Sequence, residues 1–267
     1  MTIPVIRGRL PNTWEREYRE FQHYETGQAE SEAKLMGGAA AEPWVEVIRT
    51  HEPSAFPAVE RLLADERLRA RIKGSVIDVG AGTCFLSAKL SRLPEVEKVF
   101  AVDLSEKFLT STGARVLEHF GAAMEKMTFV ATDFNEIPLP AASVDTAFIF
   151  AAIHHSLSPI KTLQEVARVL KPGGTLLILE NPKSVIGIRS ARLESLALSR
   201  EVTEIAYTRG ELEYLVANAN IGHCEVLRWD VLSRPGLRRW VRTIVRVIGL
   251  EDVLINPPNY LFVVTRR

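Results

Sequence analysis

Val76-Ile77-Asp78-Val79-Gly80-Ala81-Gly82-Thr83-Cys84 decides the fold of this chain. An apolar run ends in an acid and two closely spaced glycines just where a helix pattern begins, which reads as strand, tight turn and helix N-terminus. Gly80 and Gly82 lack Cβ atoms, so the turn can take positive φ and a ligand can approach the backbone. The helix read over 85–93 then offers unpaired N–H groups to a carboxylate or phosphate. Val99-Phe100-Ala101-Val102-Asp103 is a second apolar strand ending in an acid, 103 − 82 = 21 residues after the second glycine. An acid at that separation can accept both hydroxyls of a ribose. A dinucleotide fingerprint, G-x-G-x-x-G, needs glycine where Phe85 stands, and the ring obstructs the close approach of a pyrophosphate. The residues therefore favour a nucleoside-like ligand without pyrophosphate and disfavour a nucleotide-dependent oxidoreductase.

Outward from this stretch the hydrophobic period switches repeatedly between strand and helix, the mark of βαβ units and a parallel sheet covered on both faces. Apolar runs at 75–80, 98–103, 127–133, 144–153 and 174–180 read as five parallel strands. A helix over 55–72 leads into the first of them. Ser158 and Pro159 supply the N-cap and first position of a helix that ends at Leu170, where Gly173-Gly174 breaks the pattern. Thr208 and Glu211 form a capping box that opens a helix over 209–219. The runs 223–232 and 260–265 pair as a sixth and seventh strand.

Further strings share the order and spacing of a known family. Asp78, Gly80, Ala81 and Gly82 fit the motif (D/E)-x-G-x-G-x-G, with Cys84 in place of its last glycine. Val102-Asp103-Leu104-Ser105, Phe129-Val130-Ala131-Thr132-Asp133-Phe134 and Ser143-Val144-Asp145-Thr146-Ala147-Phe148-Ile149-Phe150 follow, and Ala151 and Ile153-His154-His155-Ser156 close the last of these strands. Glu165-Val166-Ala167-Arg168-Val169-Leu170-Lys171-Pro172-Gly173-Gly174-Thr175-Leu176 is close to the string E-x-x-R-V-L-K-P-G-G-x-L. Over about residues 74 to 182 the chain resembles the class I S-adenosylmethionine-dependent methyltransferases, with a type 11-like domain. The resemblance implies an α/β, doubly wound, Rossmann-like seven-stranded sheet, mostly parallel with an antiparallel edge, preceded here by an N-terminal helical cap. It implies S-adenosylmethionine as cofactor, held by the glycine turn, by Asp103 on the ribose with Leu104 beside the adenine, by Asp133 on the adenine amino group with Phe134, and by Ala151.

Residues 1–55 read as the cap or lid, with Tyr18, His23 and Tyr24 on an aromatic face that either closes over the ligand or packs the cap onto the core. Residues 56–267 form the methyltransferase domain, with insertions at 183–207 and 236–249. The second insertion carries Arg238, Arg239, Arg242 and Arg246 opposite an apolar face. It reads as a surface helix with a solvated basic side, or as a patch for an anionic substrate or membrane surface.

The 33 basic and 33 acidic residues cancel, so no global field draws the protein to nucleic acid. The two cysteines lack disulfide or zinc spacing, and no metal site is expected. No stretch reaches the ~18 apolar residues of a membrane span, and the N-terminus lacks a signal-peptide core. These points suggest a cytoplasmic protein and leave a homodimer open.

Methyl transfer from a sulfonium is an in-line displacement, for which alignment and exclusion of water matter most. His154 and His155 end a buried strand at the edge where the family's active site opens. A histidine there can take a proton from an attacking hydroxyl or amine. Strand alternation would send the two rings to opposite faces, so at most one reaches the substrate, with His154 favoured as the base; that both histidines only shape the pocket stays open. Glu180 is a second candidate, with an exposed strand-end acid as its alternative. The expected function is methyl transfer to an O- or N-nucleophile of a small molecule, a glycan or a lipid precursor. RNA methylation and a non-catalytic nucleotide-binding protein of the same fold are the alternatives.

Overall fold

The computed structural model describes residues 2–9, 55–156, 158–180, 205, 207–229 and 259–267. Eight strands form one sheet: β1 Val5–Arg7, β2 Gly74–Val79, β3 Val96–Asp103, β4 Met127–Ala131, β5 Val144–Phe150, β6 Leu170–Glu180, β7 Gly222–Arg228 and β8 Tyr260–Arg266. Their order is β1-β4-β3-β2-β5-β6-β8-β7. The first six run parallel; β8 pairs antiparallel with β6 and with β7. The seven strands expected from the sequence are all present. The eighth, β1, comes from the stretch assigned to the helical cap and covers the edge of β4.

Both faces of the sheet are buried. Val76, Val99, Ala101 and Phe148 enter one core while Ile77, Val79, Phe100 and Val102 enter the other, as the two-residue strand period requires. Helices α1 (Ala55–Ala64), α3 (Phe85–Ser91) and α5 (Ala114–His119) cover the first face. α2 (Glu66–Arg69) and α4 (Glu106–Phe108) are single turns leading into β2 and α5. On the second face lie α6 (Pro159–Val169), through Leu163 and Val166, and α7 (Arg209–Asn218), through Leu212 and Val216. From β2 the chain builds outward to β3 and β4, then returns beside β2 as β5. The topological switch therefore lies between β2 and β5, whose carboxyl ends border the crevice where such sheets bind ligands.

Local signals resolve unevenly. The Thr208 hydroxyl accepts the Glu211 N–H and the Glu211 carboxylate accepts the Thr208 N–H, completing the capping box. Ser158 occupies the N-cap of α6 but its side chain makes no capping bond; Pro159 alone marks that start. α6 stops at Val169, and Leu170 already pairs with Val144, so β6 begins ahead of the two glycines.

The string from Glu165 to Gly174 is a structural brace. Glu165 accepts the Ile137 N–H at 2.8 Å and two guanidinium bonds from Arg168, which itself donates to the Ile137 carbonyl. Lys171 Nζ lies 2.8 and 2.9 Å from the two oxygens of Asp145. A Cβ on Gly174 would fall 2.8 Å from the Lys171 carbonyl and 2.9 Å from that of Asp145, so only glycine fits there.

Burial alone would raise the Glu165 carboxyl, but its bonds from Arg168 and Ile137 and the Arg168 and Lys161 charges hold it below its ordinary value. A carboxyl lowered on folding stabilises the protein above its unfolded pKa, and that stability is lost as the pH falls through the folded value. Glu165→Gln should lower stability at pH 7 by about 1–3 kcal/mol. In urea titrations the gap to wild type should close as the pH falls below 4.5; a gap that is independent of pH would contradict the brace.

Candidate functional site

The turn after β2 is fastened to the end of β3. The Val102 carbonyl accepts the Gly80 and Ala81 N–H groups at 2.9 and 2.8 Å. Asp103 Oδ2 accepts the Gly82 N–H at 3.0 Å, and Oδ1 accepts that of Ser105 at 3.1 Å. The separation of 21 residues read from the sequence is thus a direct hydrogen bond. Burial raises the Asp103 carboxyl above its ordinary value even though the Ser105, Gly82 and Leu104 N–H groups pull it down. Each oxygen of a carboxylate has about two acceptor positions. Asp103 thus retains acceptor capacity for further donors, and Leu104 lies half-buried beside it.

The turn itself needs its small residues. Gly80 has φ +75°, and a Cβ there would fall 2.3 Å from Ala152 Cβ and 3.5 Å from the Phe134 ring. Cys84, at the position of the motif's last glycine, is a buried residue with φ 61°, a conformation glycine takes freely. The room it uses is provided by Gly113, where a Cβ would lie 2.9 Å from Cys84 Sγ. Asp78 turns inward: its Oδ2 accepts the Ser87 hydroxyl at 2.7 Å and pins α3 to β2.

Asp133 follows β4 across the crevice. Its Oδ1 accepts the Asn135 N–H and side-chain amide at 2.9 and 3.0 Å, while no described residue donates to Oδ2. Asn135 Oδ1 in turn accepts the Thr162 hydroxyl at 3.1 Å, and Thr162 Oγ1 lies 2.7 Å from Ser156 Oγ. A polar chain, buried at its Thr162 and Ser156 end, therefore runs from Asp133 to the residue that follows the two histidines.

Beyond β5, Ala151 takes φ 49° and Ile153–His155 form a 3-10 turn. The expected alternation fails here because the strand has already ended: the two imidazoles lie side by side, with ring centroids 4.2 Å apart. Glu180, at the end of β6, is 4% exposed, so it is no surface acid. Its Oε1 accepts the Ala152 and Ile153 N–H groups at 2.9 Å each, and Oε2 lies 2.9 Å from His154 Nδ1. A neutral imidazole that donates from Nδ1 to Oε2 would have Nε2 as its acceptor nitrogen. The Ile205 N–H donates to the His154 carbonyl. Burial, with the charges of Glu180 and Glu211, pushes the nearby Tyr207 phenol up to about 12.

The structure thus joins His154 to Glu180 and sets the glycine turn against the histidine turn. Tyr207, Asn135 and Thr162 were not found from the sequence. Asp133-Phe134-Asn135 carries an Asx-turn signal, but Tyr207 had none. Tyr18, His23 and Tyr24, most of 183–207 and all of 236–249 lie outside the described residues. Among the described residues, no group of three or more His, Cys, Asp or Glu side chains could hold a metal ion, and no helix is long and apolar enough to cross a membrane.

Residues 77–178 match the family described as a methyltransferase domain. The chain is 34% identical over 113 residues to the ubiquinone/menaquinone biosynthesis C-methyltransferase UbiE of Escherichia coli K12, a match covering 42% of this chain and 44% of that protein. The chain therefore spans under half the length of the curated relatives it matches. Among solved structures, the Burkholderia thailandensis 1,6-didemethyltoxoflavin-N1-methyltransferase with bound 1,6-didemethyltoxoflavin and S-adenosylhomocysteine superposes with TM-score 0.60 at 17% identity, over 97% of this chain and 93% of that one. The [4+2]-cyclase SpnF superposes with TM-score 0.56 at 16% identity, over 78% and 79%. Both likenesses show the fold alone.

Gly80→Ala should destabilise the protein by at least about 1–2 kcal/mol from the left-handed backbone. The clash with Ala152 adds to that cost, so thermal unfolding should shift clearly downward. An unchanged transition would contradict the contact between the two turns.

Proposed function

We propose that this chain, whose residues 77–178 are a class I S-adenosylmethionine-dependent methyltransferase domain, transfers a methyl group to an O- or N-nucleophile of a small molecule or of a glycan or lipid precursor. The observation that carries the acceptor class is the His154–Glu180 pair at 2.9 Å, beside the crevice at the switch point. A base held by a buried carboxylate serves an acceptor that must lose a proton, such as a hydroxyl, phenol or protonated amine. An acceptor that is already nucleophilic needs no such pair.

S-adenosylmethionine, when bound, supplies an electrophilic methyl carbon. Asp103 would accept the ribose hydroxyls, Asp133 Oδ2, to which no described residue donates, would accept the adenine amino group, and Phe134 and Leu104 would flank the ring. The Gly80–Gly82 turn leaves room for the methionine part. Glu180 holds the His154 ring in one tautomer, and Nε2 takes the acceptor proton. Tyr207, whose phenol burial and the Glu180 and Glu211 charges push up to about 12, keeps its own proton at working pH beside this pair. Ala151, through its left-handed backbone, turns the chain so that the histidines face the crevice.

A carbon acceptor next to a ring hydroxyl is the second reading. It is favoured by the C-methyltransferase relative, and it makes the same demand for a base. The cap residues Tyr18, His23 and Tyr24 and the insertion 183–207 are read as the acceptor side. The protein is read as cytoplasmic, without a nucleic-acid partner, and self-association is left to solution measurement.

In calorimetry, Asp103→Ala should weaken S-adenosylhomocysteine binding by more than about tenfold. Wild-type affinity should fall on acidification at a pH above the ordinary aspartate value of 3.8, because burial raises the Asp103 carboxyl. His154→Gln should leave that affinity intact and lower methyl transfer to hydroxylated acceptors by about 10²–10⁴-fold. Full activity in His154→Gln would remove the base.

A further inference from the structure

We infer that residues 7–9 are positioning residues for the donor, clamping the two loops that flank its nucleoside. This rests on the assignment of Asp103 and Asp133 to the donor and extends it to a segment with no contact to the ligand of its own. β1 covers the edge of β4 through the pairs Val5 with Phe129, Ile6 with Val130 and Arg7 with Ala131. That pairing alone protects the edge. The contacts nevertheless continue past the strand ends into the loop carrying Asp133.

The Gly8 N–H donates to the Ala131 carbonyl at 2.9 Å, and the Arg9 carbonyl accepts the Asp133 N–H at 3.0 Å. The Thr132 hydroxyl lies 3.2 Å from that Arg9 carbonyl and 2.8 Å from the Glu136 carbonyl, so one proton is shared across the loop. On the opposite side the Thr132 N–H donates to the Asp103 carbonyl at 3.0 Å. A surface loop ordinarily has a free side and moves; this one is bonded on both. Gly8 is small for the same reason, since a Cβ there would fall 2.2 Å from Thr132 Oγ1 and 3.0 Å from Pro138 Cδ. One residue earlier, the Arg7 guanidinium makes two bonds of 2.7 and 2.5 Å to Glu106, in the first turn after Asp103 and Ser105. One three-residue stretch thus fixes the spacing between the ribose acid and the adenine acid.

Calorimetry with S-adenosylhomocysteine on the full chain tests the clamp. Thr132→Val keeps the shape but loses the shared proton, and should raise Kd about three- to tenfold, whereas Thr132→Ser should stay within about twofold of wild type. Gly8→Ala, which presses on the same hydroxyl, should weaken binding in the same direction and decides the matter if Thr132→Val does not fold. Glu95→Gln breaks an exposed ion pair with Arg69 at the other end of the sheet and should leave Kd unchanged. Wild-type affinity in both Thr132→Val and Gly8→Ala would overturn the clamp, as would equal losses in Thr132→Ser and Thr132→Val. Asp133→Ala separates the two levels. Unchanged binding there overturns the donor assignment and the clamp with it, while weakened binding beside an intact Thr132→Val overturns the clamp alone.

Discussion

The buried carboxylate of Asp103 is the constraint on which the rest of the site depends. It ties the Gly82 N–H, at the end of one strand, to the Ser105 N–H, at the start of the next helical turn. The glycine turn, the helix behind it and the second strand end are thereby set in one frame. Taking a carboxylate out of water is unfavourable unless donors replace the water. Here backbone N–H groups replace part of it, and the carboxyl still stands above its ordinary pKa because of burial. A ligand bringing hydroxyl donors completes the shell.

Strand positions, helix placement and the glycine turn were legible because each rests on local pattern. Apolar runs of strand length mark sheets buried on both faces, and the 21 residues between Gly82 and Asp103 span a crossover that brings turn and acid together. β1 was not legible. Val5-Ile6-Arg7 is too short for a period to show, and it becomes a strand only because β4 offers it an edge. The histidine turn was misread for a related reason: alternation was carried past Phe150, whereas Ala151 leaves the strand through a left-handed backbone. Glu180 was visible as an acid, but its burial depends on partners 26 to 28 residues earlier in the chain, which no local pattern records.

The most recognisable string proved to be architecture. Glu165, Arg168 and Lys171 spend their charges on Ile137 and Asp145, and Gly174 is fixed by two carbonyls. Such residues report the fold with great specificity while touching no chemistry. The superposition with a [4+2]-cyclase makes the same point from outside, since one scaffold hosts unlike reactions. Function must be argued from the few residues that border the crevice, of which the His154–Glu180 pair and Tyr207 are the least generic.

A crystal structure of the protein grown with S-adenosylhomocysteine would test this most directly. The ribose hydroxyls are expected on the Asp103 carboxylate, the adenine amino group on Asp133, and the sulfur in the space between the glycine turn and the histidine turn. Density for the nucleoside anywhere else, or a crevice between the ends of β2 and β5 that stays empty at saturating ligand, would contradict the assignment.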